Sequence, residues 1–437
     1  MGSLKGILFA FAITALAGTP LSAVAADNPV PSDSAAAAIA PGTVITTENW
    51  RKYKEFMPEG MIGLFEGTYF WKMPDGVRIE VGPTVIHPLP KNYLEATEKY
   101  AQGVQLKQLP DSGLTLENYR GGIPFPNPAE PHKGWKTLAN LWYRYIPHLV
   151  VDTLGSGCAI NSAGNINCQT YVAVKRQLSY NTDPNAPAEP PGPDARYFTE
   201  WFMTVEPEQE RYTAYLTVNY ADPTRAEEAY AFLPSLRRYQ TISNAARCSQ
   251  SQGLDATFED FHNGFDSNLT ELDVTYMGHR KLLALVDAAP PSGAFPDGVL
   301  MPLGWPTPKW GTWQVRDVDV LGIKKIPAKA KGYCYGNRVI YADSTFSYPL
   351  WEELYGADMK LWKIFGIFPE KIDVPGIGPV DTAALDIEAY WDIQNHHATF
   401  ASEPYMENRA YINEQAPKEY NDDARYTTPA GLNLIMR

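Results

Sequence analysis

The chain has 437 residues, 44% of them hydrophobic, and its formal net charge is −13 at pH 7. This length and composition can build a large apolar core. The acidic balance, which no cluster of Lys or Arg offsets, argues against nucleic acid or an anionic membrane surface as the main partner.

The first 26 residues have the pattern of a secretory signal peptide. Lys5 supplies a positive charge, Ile7 to Leu16 are apolar but too few to cross a bilayer, and Ala23 to Ala25 form a small-residue cleavage site. A membrane anchor is the alternative. Residues 27–45 are predicted to be a flexible lead-in, and residues 46–437 a single β-rich domain. The mature chain is expected to be soluble in an exported compartment.

The next segments predict two strands and two helices. The strands are Gly63 to Met73 and Val77 to Ile86, on either side of the turn at Pro74 to Gly76. Asn92 to Gln102 and Lys136 to Tyr145 carry apolar residues three and four positions apart, which predicts amphipathic helices.

Four cysteines in an exported chain predict two disulfides. Cys158 and Cys168 flank a segment rich in Asn, Ser and Gly, which predicts a hairpin tip closed by a local disulfide. Cys248 and Cys334 then remain for a long-range disulfide. A metal site is the alternative, although the sequence has no CxxC motif and no nearby histidine to favour it.

Strand patterns dominate the second half of the chain. Arg211 to Tyr220 and Leu385 to Ile393 alternate between apolar and polar residues. Residues 333–364 contain three apolar runs separated by turn residues, as in an antiparallel meander. Tyr197 to Val205 and Leu350 to Leu354 are apolar on both faces, so both faces must be covered; helices can cover one and a ligand the other.

The predicted fold class is therefore mainly β (α+β). The pattern contains roughly ten to thirteen strands, few helices and Pro-rich connections. The economical arrangement is a single large curved antiparallel sheet, with one or two helices plugging or covering it.

Three stretches of the chain resemble one known family, the proteobacterial DUF1329 proteins. The motifs that carry the resemblance are Tyr119–Pro128 with Asn140 and Tyr143–Arg144, Tyr230–Arg238 with Phe258–Asp260 and Gly264–Phe265, and Asn337–Asp343 with Leu361–Lys363. The family looks like a relative of the LolA/LolB lipoprotein carriers. The resemblance implies an unclosed β-barrel, plugged by helices, around a hydrophobic cavity.

The same resemblance implies a cellular setting. The mature protein is expected in the periplasm, soluble or loosely associated with the outer membrane after cleavage of the signal peptide. An RND-type lipid exporter and an outer-membrane protein are the implied partners. No reaction and no cofactor are implied.

Aromatic residues make up 12% of the chain, and most are expected to lie in an ordinary core. Others are candidates to line a cavity for apolar cargo. The cavity candidates are Trp142, Trp201, Phe202, Phe232, Tyr276, Trp313, Trp351 and Trp362. Arg237 and Arg238 are candidates to hold the carboxylate or phosphate of a lipid head group; a plain ion pair with nearby acids is the alternative.

The family-motif loop contains Arg120, Gly121, Gly122, Pro124, Phe125 and Pro126. The glycines permit positive φ, and the prolines fix the chain that follows. The loop is interpreted as a rigid crossing segment, or as the lip of a cavity or a docking loop.

The densest cluster of titratable residues is Asp255, Glu259, Asp260, His262 and Asp266. Its spacing does not fit an EF-hand. Thr257 and Asp260 have the spacing of a capping pair, so the cluster is interpreted as a solvated helix start. His396 and His397 are adjacent and would point to opposite faces of a strand, so they do not favour a metal site.

The sequence therefore predicts a periplasmic protein that binds or carries a lipid, sterol or fatty acid and is not an enzyme. No metal and no cofactor are expected. The alternatives are an envelope hydrolase that uses the acidic cluster from Asp255 to Asp266, and a scaffold of an envelope complex that transports nothing.

Overall fold

The computed structural model describes residues 39–187, 189–190, 192–250, 253–288, 305–306, 311–402 and 410–436. The predicted signal peptide and most of the predicted lead-in lie outside these residues.

Short elements precede the main sheet. They are β1 (Val44–Ile45), α1 (Glu59–Glu66), β2 (Ile79–Glu80), α2 (Lys91–Tyr100), β3 (Gln105–Gln108), β4 (Leu114–Glu117) and α3 (Lys133–Trp142). β1 pairs with β2, and β3 pairs with β4. Helices α2 and α3 confirm the two helices predicted from apolar spacing, each shifted by one to three residues.

The predicted strand from Gly63 to Met73 is wrong, because residues 63–66 belong to α1 and residues 67–73 form no strand. Met61, Leu64 and Phe65 are buried at positions i, i+3 and i+4 of this helix, a helical spacing within a short apolar run. Gly67 ends the helix with a φ of 69°, a conformation that favours glycine.

The described strands of the main sheet number 14, and all their pairings are antiparallel. They are β5 (Leu149–Asn161), β6 (Ile166–Gln177), β7 (Arg196–Glu206), β8 (Ala214–Tyr220), β9 (Glu228–Leu233), β10 (Arg238–Ile242), β11 (Leu272–Val286), β12 (Thr312–Lys325), β13 (Asn337–Asp343), β14 (Pro349–Tyr355), β15 (Leu361–Val374), β16 (Gly378–Asp392), β17 (His397–Ser402) and β18 (Ala410–Ile412). Two short helices follow, α4 (Asp423–Tyr426) and α5 (Pro429–Leu432).

The strand order is β10-β9-β8-β7-β6-β5-β17-β16-β15-β14-β13-β12-β11, and β18 also pairs with β5. Among the described residues, β10 and β11 form the two edges and do not pair with each other, so the sheet is not closed. A large open antiparallel sheet with few helices confirms the predicted fold class. The three-strand meander is also confirmed, since β14 lies between β13 and β15.

Both predicted disulfides are present. Cys158 and Cys168 lie opposite each other on β5 and β6 and are bonded. The long-range disulfide joins Cys248 to Cys334, which are 86 positions apart. It ties the segment after β10 to the loop before β13.

Alternation along the strands gives the sheet two faces. We call the face that carries Tyr341, Trp351 and Trp391 the core face. Between β11 and β17, residues 39–81 cover it, with Trp50 and Trp71 in the largest apolar cluster. Over β5 to β9 the C-terminal helices cover the same face, and they bring Tyr426 and Leu432 against Trp201, Leu216 and Phe232.

The opposite face, which we call the loop face, carries Phe202, Tyr215 and Tyr390. Helix α3 covers its β11–β12 end and packs Leu138 in a second apolar cluster. Farther along, residues 253–266, which we call the inner loop, lie against it. The apolar strands are thus covered by protein on both faces, and one cavity lies beside the inner loop.

Candidate functional site

A cavity of about 90 Å³ lies between the inner loop and the loop face of the sheet. It is bordered by β6, β7 and β8 on one side and by β16 and β17 on the other. Neighbouring strands are about 4.8 Å apart, so β8 and β16 can border one cavity only because the sheet curves around the inner loop. The aromatic side chains in its lining are Tyr171, Trp201, Phe202, Tyr215, Phe261 and Tyr390.

Three of these rings, those of Tyr171, Phe202 and Phe261, pack in a row. The rings of Tyr171 and Phe202 are stacked with their centroids 4.6 Å apart, and Phe261 stacks on Phe202 at 6.1 Å. Tyr171 and Phe202 come from adjacent strands, whereas Phe261 comes from the inner loop. Movement of the inner loop would therefore uncover an aromatic surface that the sheet holds in place.

The sequence of the inner loop sets its shape. Thr257 and Asp260 form a capping box, in which the Thr257 N–H and hydroxyl each lie 2.9 Å from Asp260 Oδ2. His262, Asn263 and Gly264 then have positive φ. Gly264 has a φ of 101°, which other residues rarely adopt, and a Cβ atom there would lie 2.4 Å from the tip of the Ile367 side chain, so the position favours glycine.

Cations of the sheet hold the inner loop. The Arg338 guanidinium pairs with Asp260 and, at 3.0 Å, with Glu352. It also donates to the carbonyl of Gly264 at 2.7 Å. Lys363 Nζ, fully buried, donates to the carbonyl of Asp255 at 2.5 Å. A buried charge without partners is costly, so these contacts disfavour removal of the loop unless something replaces them.

The acidic cluster is not solvated, contrary to the prediction. Asp255, Glu259, Asp260, His262 and Asp266 are all buried. Thr257 and Asp260 do form the predicted capping box, but the carboxylates point into protein. They accept hydrogen bonds from neighbours that lie far away in the sequence, such as Arg338, and a local pattern could not reveal this burial.

His262 is held as a neutral imidazole. Its ring stacks on Phe198 at 3.9 Å, and its Nδ1 lies 3.0 Å from Glu200 Oε1. Burial lowers the pKa of His262 to about 4. Because a carboxylate only accepts, we assign the proton to Nδ1. Nε2 is then an acceptor, and it has no hydrogen-bond partner in the described part of the chain.

His397 anchors the start of the inner loop. Its Nδ1 lies 2.7 Å from Asp255 Oδ2, and Thr399 donates to the same oxygen at 2.8 Å. The hydrogen bond with Asp255 raises the pKa of His397. His396 lies in the preceding turn with a φ of 55°, not in a strand as predicted, and its ring stacks on Phe70.

Two adjacent glutamates of β14 are buried on opposite faces. Glu352 points to the loop face and Arg338, yet burial raises its pKa to about 8. Glu353 points to the core face and accepts from the Gly60 N–H at 2.5 Å. Burial raises the pKa of Glu353 to about 7.

A wider groove of about 380 Å³ lies on the other side of the inner loop. Trp142 and Glu259 line it, but so do many charged side chains already in ion pairs. Arg247 pairs with Glu259 at 2.7 Å, and Lys325 with Glu271 at 2.9 Å. This charged lining fits an apolar molecule less well than the aromatic cavity does.

The aromatic candidates do not share one site. Phe202 lines the cavity, and Trp201 borders it while packing its ring edge-on against Tyr426 at 5.0 Å. Trp142 lines the groove instead. Phe232, Trp313 and Trp351 lie in apolar clusters. Tyr276 and Trp362 are half-buried, and their polar atoms donate to Asp319 and Asp392. Which of them contact a ligand stays a prediction.

Arg237 and Arg238 lie at the exposed turn between β9 and β10. Neither has an ion pair within the described ranges. The cavity is bordered by the middle of β8, around Tyr215 and Thr217, so neither arginine lines it. A head-group role for them stays a prediction.

The family-motif loop braces helices α2 and α3. The Ile123 N–H donates to Thr97 Oγ1 at 2.8 Å, and the N–H and C=O of Phe125 bond the side-chain amide of Asn140 at 2.9 and 2.8 Å. Gly122, with a φ of 76°, leaves no room for a Cβ atom, which would lie 2.4 Å from Thr97 N. Arg120 is exposed, and neither Pro124 nor Pro126 lines the cavity.

Sequence reasoning missed Tyr171, Tyr215 and Phe261 as cavity residues. Tyr215 lies in a predicted strand and Tyr171 follows the predicted hairpin tip, but only the register places both beside Phe202. Alternation within a strand predicts which residues share a face. It does not predict which strands pair, and therefore which aromatic residues become neighbours.

One group of possible metal ligands was not predicted. His87, Asp287 and Asp381 each place a ligand atom within 4.8 Å of the others. Both carboxylates already have protein donors, since Gln314 donates to Asp287 at 3.0 Å and Arg316 pairs with Asp381 at 3.4 Å.

Within the described residues, no helix has both the length and the apolar character needed to cross a membrane. No curated protein matches the chain. Solved structures similar to the chain include a domain of Vibrio parahaemolyticus described as an outer membrane lipoprotein-sorting protein, a DUF1329 protein of Desulfovibrio piger and a LolA superfamily protein of Nitrosomonas europaea.

The three structures are 12%, 13% and 12% identical to the chain, with TM-scores of 0.44, 0.45 and 0.36. They cover 67%, 68% and 64% of this chain, and 98%, 98% and 93% of their own. The sequence profile described as "Protein of unknown function (DUF1329)" matches residues 44–433. The chain therefore belongs to the DUF1329 family.

Proposed function

We propose that the protein binds or carries a hydrophobic molecule, such as a lipid, sterol or fatty acid, at the loop face of its sheet. The observation that carries this proposal is the cavity lined by Tyr171, Phe202, Tyr215 and Phe261. Broad, flat rings accept varied apolar surfaces, and apolar cavities beside a curved sheet are common ligand sites.

The size of the cavity requires a conformational change. A volume of about 90 Å³ is well below the roughly 300–1,000 Å³ of a typical small-molecule pocket, so a lipid does not fit. We infer that cargo enters when the inner loop moves away from the sheet. Phe261 would then leave Phe202, and the cargo would take its place on the rings that β6, β7 and β8 carry.

The energy of apolar burial is adequate for such an exchange. Burial of about 400 Å² of cargo surface contributes roughly 10 kcal/mol, at about 25 cal/mol per Å². This gain would offset the contacts that the inner loop loses. Release would follow from return of the loop or from transfer to a partner with higher affinity.

A fluorescence titration with N-phenyl-1-naphthylamine, an uncharged apolar probe, tests the proposal. We expect saturable binding, and displacement of the probe by long-chain lipids or sterols. Phe202→Ser should weaken binding of the probe about tenfold, because it removes a ring of the cavity wall. Met203→Ser is the matched control, since Met203 is the half-buried neighbour that points to the core face. Absence of saturable binding, or equal losses in both variants, would refute the proposal.

We also propose a periplasmic location, with an RND-type exporter and an outer-membrane protein as partners. The support is the signal-peptide pattern of residues 1–26 and the family resemblance. N-terminal sequencing of the protein from the envelope fraction should begin at Ala26 or Asp27; a chain that still begins at Met1 would contradict the location. Crosslinking in whole cells should capture the exporter.

A further inference from the structure

The cavity has a polar side as well as an aromatic one. Five of its lining residues have a buried polar atom without a hydrogen-bond partner in the described part of the chain: Trp201 Nε1, Thr217 Oγ1, His262 Nε2, Asn263 Oδ1 and Tyr390 Oη. Each residue is at most 5% exposed. Buried polar atoms are almost always satisfied, and an unsatisfied one costs about 1–3 kcal/mol, so several in one cavity point to a ligand group.

Two of these residues lie beside the same carboxylate. Thr217 on β8 is the register partner of Glu200 on β7, and both side chains point to the loop face. His262 bonds Glu200 from the inner loop. A ligand atom in this corner would therefore meet the Thr217 hydroxyl, which donates or accepts, and His262 Nε2, which accepts. Asn263 Oδ1, from the next residue, also accepts.

Acidic side chains outnumber the cations around this corner by one. The acidic lining residues are Glu200, Asp260, Asp386 and Glu388, and Lys175 is the lining cation. Arg338 is bonded to Asp260. The guanidinium of Arg144 donates to the His262 carbonyl and interacts with Glu200 and Asp386. The excess of acid opposes an anionic head group, and burial of any charge without a partner is costly.

We propose that the cargo is an uncharged amphiphile whose hydroxyl group is bound by Thr217 and His262, as in a sterol or a fatty alcohol. A hydroxyl can donate to His262 Nε2 and accept from Thr217 at the same time. Its apolar body lies on Tyr171, Phe202 and Tyr215. This inference rests on the proposed function and names the class of cargo for the same site.

Competition against N-phenyl-1-naphthylamine at pH 7, with ligands of one tail length, tests the inference. We expect 1-dodecanol to displace the probe at least tenfold more tightly than dodecanoate or dodecylamine. Tighter binding of the amine or of the carboxylate would overturn the assignment to an uncharged group. If all three compete equally, the carrier function stands and this inference fails. If none competes and the probe does not bind, the proposed function fails as well.

A pair of isosteric variants assigns the hydroxyl to its site. Thr217→Val should weaken 1-dodecanol about fivefold relative to the probe in the same variant, the loss of one hydrogen bond. Thr199→Val is the matched control: Thr199 is a buried threonine with an unpartnered hydroxyl on the neighbouring strand, but it alternates with Glu200 and points to the core face. An equal effect of the two variants, or no effect of Thr217→Val, would overturn the proposal.

Discussion

Arg338 of β13 and Asp260 of the inner loop form an ion pair that is closed to solvent, with side chains 2% and 0% exposed. The pair joins the sheet to the segment that covers the cavity. The same guanidinium holds Glu352 and the carbonyls of Glu259 and Gly264. Arg338 is therefore the main contact between the sheet and the inner loop.

Replacement of this guanidinium should destabilise the fold and loosen the inner loop. Arg338→Met leaves Asp260 buried without its cation, which costs about 3–5 kcal/mol. Urea denaturation followed by circular dichroism measures the loss, and chymotrypsin cleavage at Phe258 or Phe261 reports the loosening. Arg211→Met, which breaks an exposed pair with Glu208, should cost less than about 1 kcal/mol. Equal effects of the two substitutions would contradict the role given to Arg338.

Glu353 should make stability depend on pH. Its pKa rises from the ordinary 4.5 to about 7 in the folded protein, so the folded state favours the protonated form. The stabilising effect is complete below about pH 4.5 and is lost as the pH rises towards 7. Glu353→Gln keeps the acceptor for the Gly60 N–H and cannot ionise. The free energy of unfolding of the variant, minus that of wild type, should therefore be about 3 kcal/mol larger at pH 8 than at pH 4.

Denaturation curves measured between pH 4 and pH 8 test this expectation. Exposed Glu95 provides the control, because Glu95→Gln should give the same pH profile as wild type. A Glu353→Gln profile parallel to that of wild type would show that the Glu353 carboxyl ionises normally in the folded protein.

The two disulfides should differ in their effect on stability. Cys248–Cys334 closes a loop of 86 residues, and Cys158–Cys168 closes one of 10 residues. If a disulfide stabilises by reducing the entropy of the unfolded chain, the longer loop contributes roughly 4–5 kcal/mol and the shorter one roughly 3 kcal/mol. The Cys248→Ser/Cys334→Ser variant should therefore unfold at lower urea than the Cys158→Ser/Cys168→Ser variant. The reverse order of midpoints would show that local contacts outweigh loop length.

Charge should be tolerated very differently at two aromatic positions. Trp351 is 2% exposed and packs against Trp391 in the core, so Trp351→Glu buries an unpaired charge and should abolish the folded circular dichroism spectrum. Phe202 is half-buried beside the cavity, so Phe202→Glu should stay folded and lose binding of the probe. A folded Trp351→Glu protein would place that side chain outside the core.

The sequence predicted most strands, because apolar alternation and turn residues are local signals. Residues 333–364 are the best example, where Asp343-Ser344 and Gly356 to Asp358 separate the strands. The same reasoning failed for α1, whose apolar residues support a short helix as well as a strand. Local patterns also could not show that Asp260 and His262 are buried, since their partners Arg338 and Glu200 lie on strands that are distant in the sequence.

The candidate site was less predictable than the fold. Phe202 was proposed from the sequence, but its neighbours Tyr171 and Tyr215 were not, because the three residues meet only through the register of β6, β7 and β8. The inner loop offered a capping pair and no sign that it covers a cavity. Positions of this kind depend on long-range pairing rather than on composition.

Photo-crosslinking with a benzophenone-tailed fatty alcohol tests the central claim most directly. The account predicts saturable labelling that unlabelled 1-dodecanol suppresses, with the modified peptides drawn from β6, β7 and β8 around Tyr171, Phe202 and Tyr215, and from the inner loop around Phe261. Labelling that does not saturate, or that maps away from these strands and the inner loop, would contradict a cargo site at the loop face of the sheet.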